Sequence, residues 1–97
     1  MEFSDKKAAE RVRVGVDFVR LLATGETIAT AAVVASVLRG TDATPDALLD
    51  GAGSIDGTTI WQELQDGTPG VYYTLQFMAT TNLGHVLIER AALEVTA

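Results

Sequence analysis

Apolar and polar residues alternate along most of this chain. Val12, Val14, Val16 and Phe18 are interleaved with Arg11, Arg13, Gly15 and Asp17. A period of two is the pattern of a strand with one face buried. Residues 28–38 lean apolar, broken by Thr30 and Ser36. The β-branched Thr30, Val33, Val34 and Val37 favour a strand there over a helix. From Thr58 to Leu64, Ile60, Gln62 and Leu64 share one face, while Thr59, Trp61 and Glu63 share the other. Val71, Tyr73, Leu75, Phe77 and Ala79 then alternate with Tyr72, Thr74, Gln76, Met78 and Thr80. A last strand over 85–95 carries Leu87, Ala91, Leu93 and Val95 on one side. Turn chemistry separates these runs at Gly25-Glu26, at Asp66 to Gly70 and at Asn82-Leu83-Gly84. Residues 40–57 read as loop, with one helical turn at Pro45 to Leu49 capped by Thr44. The pattern predicts an all-β chain, a small antiparallel β-sandwich forming a single domain.

Composition narrows what such a domain can do. The chain has 97 residues, of which 47% are hydrophobic and 21% charged, ordinary values for one globular core. It has no cysteine and one histidine, His85. Disulfides, thiolate nucleophiles, zinc–thiolate sites and paired-histidine metal sites are therefore excluded within one chain. The net charge of −6 argues against nucleic-acid and anionic-membrane partners. The N-terminus lacks the apolar run of a secretory signal, and no stretch approaches the length of a spanning helix. Basic residues concentrate at the start: Lys6, Lys7, Arg11, Arg13 and Arg20 precede a remainder holding only Arg39 and Arg90. The expectation is a charged N-terminal arm over residues 1–10 and a sandwich over 11–97. The arm is either solvated or docked on an acidic neighbour, such as the next copy of the chain.

Candidate chemistry is sparse. Gly51, Gly53 and Gly57 lack the spacing of a dinucleotide loop and read as turn glycines. Asp42, Asp46, Asp50 and Asp56 lack calcium-loop spacing and read as solvated carboxylates. His85 has no serine in a nucleophile-elbow context among Ser4, Ser36 and Ser54, so a surface histidine is expected. Nothing in the spacing brings Asp17, Glu63 and Glu89 together as a carboxylate pair. No cofactor or metal is expected. Trp61 points away from Ile60 and Leu64. It either joins Tyr72 and Met78 in an exposed aromatic patch or caps the core under the 40–57 loop. Tyr73 faces inward, and its hydroxyl is expected to find a backbone partner near a strand end.

Several short motifs in order resemble a known family. Val16-Asp17-Phe18, Leu21-Leu22 and Gly25-Glu26-Thr27-Ile28 open the pattern. Leu64, Asp66 to Gly70, Tyr73-Thr74-Leu75, Thr80 to Gly84 and Glu89-Arg90 continue it. Together, from about Lys6 to Val95, they resemble small tailed-phage and prophage proteins described as fiber-tail or head–tail adaptors. Asp66 stands where that pattern has glycine, and His85 where a basic residue is common. The resemblance implies an immunoglobulin-like β-sandwich without catalysis and a structural role in a virion, at the head–tail neck, the tail or a fiber attachment point, assembled in the bacterial host cytoplasm. Its partners would be other virion proteins and copies of itself, a homo-oligomer in the particle. Expected contact residues are Trp61, Tyr72 and Met78 with Lys6, Lys7, Arg11 and Arg13. The alternative is a sandwich unrelated to phage that binds carbohydrate or peptide, with Trp61 and Tyr72 stacking on a ligand.

Overall fold

The alternation becomes seven strands. The computed structural model describes residues 2–97. The strands are β1 (Lys6–Lys7), β2 (Val12–Asp17), β3 (Ile28–Arg39), β4 (Ser54–Asp56), β5 (Thr59–Leu64), β6 (Tyr72–Thr81) and β7 (Val86–Thr96). Short 3₁₀ turns lie at Val19–Leu21 and Pro45–Leu48. The second sits where a helical turn was expected. Thr44 precedes it without any side-chain cap; its carbonyl accepts from the Ala47 amide at 3.0 Å instead.

The strands form two sheets, one ordered β1-β7-β6-β3 and the other β2-β5-β4. Tyr73, Leu75, Phe77 and Ala79 on β6 are 0% exposed and meet the inner face of the small sheet, where Ile60 and Leu64 are also buried. The small sheet and the β7-β6-β3 part of the large one follow the B-E-D and G-F-C orders of an immunoglobulin-type sandwich. The first strand departs from that plan. It lies on the large sheet, parallel to β7, with Lys6 opposite Val95 and Lys7 opposite Thr96.

Two strands lay outside the alternation. β4 occupies the end of the expected 40–57 loop, and β1 falls inside the expected arm. Residues 2–10 are not a free arm: the Phe3 amide donates to the Ala92 carbonyl at 2.9 Å, and the Ala8 amide to that of Thr96 at 2.8 Å. Phe3 packs edge-on against Phe77, with ring centroids 6.1 Å apart. Lys6 is 1% exposed, and its ammonium donates to the carbonyls of Lys7 (3.0 Å), Ala8 (3.2 Å) and Asp66 (2.6 Å). Three acceptors match the three donors of an ammonium, so the buried charge is satisfied. Burial pushes the Lys6 pKa down, while the Asp66 and Glu10 carboxylates push it back up.

Candidate contact surfaces

Each face of the sandwich carries its own set of outward residues. On the small sheet, Gly15 pairs with Trp61 across β2 and β5. The indole lies directly on Gly15: a Cβ there would sit 2.4 Å from Trp61 Cε3. Glycine in a strand interior permits such a close approach. The Arg13 guanidinium stands over the ring, 4.4 Å from its centroid. Trp61 is therefore neither a bare aromatic patch nor a cap on the core, but half-buried on the outer face beneath Arg13. A sugar would have to displace that guanidinium to stack there.

Tyr72 and Met78 project from the outer face of the other sheet. The structure does not bring them together with Trp61. Tyr72 lies between Arg39 and Glu94, with the guanidinium 6.0 Å from the ring centroid. The Glu94 carboxylate pushes the Tyr72 phenol above its ordinary value. Met78 sits between Ala32 and Ile88, and the row beside it ends in Val86. Val34, Val86 and Ile88 are exposed, so this end of the large sheet presents an uncovered apolar strip.

The basic residues divide in the same way. Lys6 is buried and offers no contact, because its hydrogen bonds are spent inside the chain. Lys7 and Arg13 are exposed, and Arg11 makes an exposed ion pair with Asp50 at 3.5 Å. Between the N-terminal segment and β2 runs a groove of about 310 Å³, lined by Phe3, Val12, Val14 and Leu93, with Asp5 and Arg13 among its polar residues. Alternation along the chain does not reveal this groove. Its trace in the sequence is Phe3 inside a charged segment and Gly15 inside a strand, both of which line it.

The residues considered for chemistry serve as struts. Asp42 accepts from the Tyr73 hydroxyl at 2.6 Å and the Thr44 amide at 2.9 Å, and both bonds hold its carboxyl below the usual range. The Tyr73 hydroxyl in turn accepts from the Thr68 amide at 2.9 Å, the backbone partner expected for it. Asp46 accepts from the Ala35 amide at 3.2 Å. Asp56 stands on β4, and among the described residues no group of three or more His, Asp or Glu is placed to hold a metal ion. Gly51 and Gly57 adopt φ values of 79° and 61°, as turn glycines do. Asp17 is fastened to the Val19 amide and the Thr58 hydroxyl. Glu63 lies opposite Arg13 on the small sheet and Glu89 lies on β7 of the large one, so no carboxylate pair forms.

His85 is exposed at the β6–β7 turn, with Nδ1 2.8 Å from Glu26 Oε2. Glu26 is buried, and it also accepts from the Thr81 hydroxyl at 2.6 Å and the Ala23 amide at 2.9 Å. These bonds, that of Thr81 foremost, hold its carboxyl below the ordinary value. The Thr81 hydroxyl points at the carboxylate and not at the imidazole, so the group clamps two turns together and does not form a nucleophile–base pair.

A family model described as Podophage GP4 fiber-tail adaptor protein gp77 matches residues 6–94. The chain belongs to this family. The matched span begins at Lys6 on β1 and runs into β7, so it takes in all or part of every strand of both sheets. Asp66, in the turn between β5 and β6, has φ of 50°, the left-handed region that glycine occupies most easily. A comparison with individually curated proteins gives no match. The family is one of phage structural adaptors, and membership makes the chain a phage tail adaptor protein of the virion.

Proposed function

We propose that the chain works without catalysis, as a small block holding fibre and tail components together through repeated protein–protein contacts. The family match over residues 6–94 carries this reading. The strand order supports the immunoglobulin-like label for the scaffold. Two outward faces support the adaptor role, because a connector must meet different neighbours at once. One face holds Trp61, Arg13 and Arg11; the other holds Met78 and Tyr72 beside the apolar strip of Val34, Val86 and Ile88. Lys7 is exposed on β1, the end strand of the large sheet. The net charge of −6 favours protein neighbours over nucleic acid or an anionic membrane. Copies would assemble in the bacterial host cytoplasm and end in the virion.

Quantitative mass spectrometry of purified particles from a culture producing this protein tests the reading. Stoichiometric, multi-copy recovery is expected. Abundant soluble protein with none in the particles would overturn it. Trp61→Ala is expected to lower incorporation more than it lowers folding stability; equal losses would make Trp61 a folding residue alone.

A further inference from the structure

The edges of the two sheets are treated unequally. The Asp46 carboxylate blocks the edge of β3 at the Ala35 amide, and β1 covers the C-terminal end of β7. Proteins protect sheet edges in this way because unpaired strands recruit other chains. The small sheet has no such protection. β2 and β4 are its two end strands, and among the described residues nothing pairs with their outer sides. All three residues of β4 are exposed, including Ile55 at 40%.

The two open edges are complementary in shape and charge. Beside β2 lies the groove of about 310 Å³, with apolar walls at Val12, Val14, Leu93 and Phe3. Ile55 pairs with the inward Ile60, so it projects toward the core side of the small sheet, the side that Val12, Val14 and Val16 also face. Ser54 and Asp56 project to the opposite side, which on β2 carries Arg11 and Arg13. Charge over the whole chain is divided likewise: residues 1–20 hold five of the seven basic residues, and later residues hold nine of the thirteen acidic ones.

We propose that the small sheet continues from one copy of this chain into the next. The β4 strand of one copy adds in parallel to the free edge of β2 in its neighbour, Ile55 enters the groove beside Val12, and Asp56 meets Arg13. This rests on the reading of the chain as a structural adaptor and names the surface by which its copies join. The contact is heterologous, since each copy offers β4 on one side and β2 on the other. It therefore builds a closed ring or an open filament, not a two-fold dimer.

Engineered cysteines test this cleanly, because the chain has none of its own. Neighbouring strands place facing residues within disulfide range. An Ile55→Cys/Val14→Cys variant and an Ile55→Cys/Val12→Cys variant cover two registers. The proposal expects at least one of them to give a ladder of multimers on mild oxidation, in concentrated solution or in purified particles, that collapses on reduction. Single-cysteine variants should stop at dimers. Adding Asp56→Arg should cut the ladder by about tenfold or more through like-charge contact, and adding Arg13→Asp as well should restore it. Circular dichroism confirms that each variant is folded. Folded double-cysteine variants that give no ladder in either setting would overturn the proposal, as would a ladder indifferent to both charge reversals. Particles containing the protein without the cross-link would sink this interface and leave the adaptor reading standing. Particles lacking the protein would sink that reading itself.

Discussion

Lys6 holds the N-terminal strand to the rest of the chain, and replacing it with methionine should show this directly. Its ammonium donates to three carbonyls, including that of Asp66, sixty residues away in sequence. Hydrogen bonds to a charged group are worth about 1.5–3 kcal/mol each, or about 5–9 kcal/mol for three. Methionine keeps most of the apolar stem and avoids the cost of burying a charge, which returns several kcal/mol. The expected net loss is about 3 kcal/mol. For a domain of this size that is a large part of the total stability, and it lowers Tm by about 12–24 °C. Urea unfolding followed by Trp61 fluorescence measures it, since Trp61 is the single tryptophan. Lys7→Met is the control: Lys7 is exposed, and its loss should cost under about 0.5 kcal/mol. If the two variants unfold within about 0.5 kcal/mol of each other, the buried ammonium does not anchor the strand and the reasoning fails.

Three further outcomes follow from the same contacts. Gly15→Ala places a methyl group 2.4 Å from the indole, so Trp61 must lift off β2; a red-shifted emission and a loss of about 1–3 kcal/mol are expected, and an unchanged spectrum would refute the close packing. Tyr73→Phe removes the bonds to Thr68 and Asp42 and should cost about 1–2 kcal/mol in thermal or urea unfolding. Glu26 is held below its ordinary value of 4.5, and Asp17 and Asp42 below theirs of 3.8, by donors to their carboxylates. As pH falls, the unfolded chain takes up these protons first, so the stability they supply is full above about pH 4.5 and is lost as pH drops through the lowered folded values. Glu26→Gln should flatten that decline, as read by unfolding at a series of pH values; a curve parallel to the native one would show that Glu26 contributes nothing to it.

Much of the scaffold was legible because a period of two reports burial directly. Val16, Ile60, Leu64, Tyr73, Leu75, Phe77, Ala79, Leu93 and Val95 all face inward as their alternation requires. Gln62 is buried on that same face despite its amide, which donates to the carbonyls of Gly51 and Glu63. The 3₁₀ turn at Pro45 and the hydroxyl partner of Tyr73 were legible for local reasons: proline at the start of a turn, and a tyrosine near a strand end. The surface position of His85 was anticipated, but its partner Glu26, on a turn 59 residues away, was not. No local signal tied the two residues together.

The sequence by itself determined that this chain is all-β, which residues line its core and where its turns fall. Those properties follow from side-chain polarity and backbone preference over a few neighbouring residues. Only the tertiary structure decided which strands are neighbours. Alternation says that Trp61, Tyr72 and Met78 leave the core, but not that two sheets carry them off in different directions. Composition marks Lys6 as a surface charge, and only the meeting of β1, β7 and the Asp66 turn supplies the three carbonyls that let it be buried. A groove between the N-terminal segment and β2, and two unprotected edges on one small sheet, exist only once strands distant in sequence lie side by side.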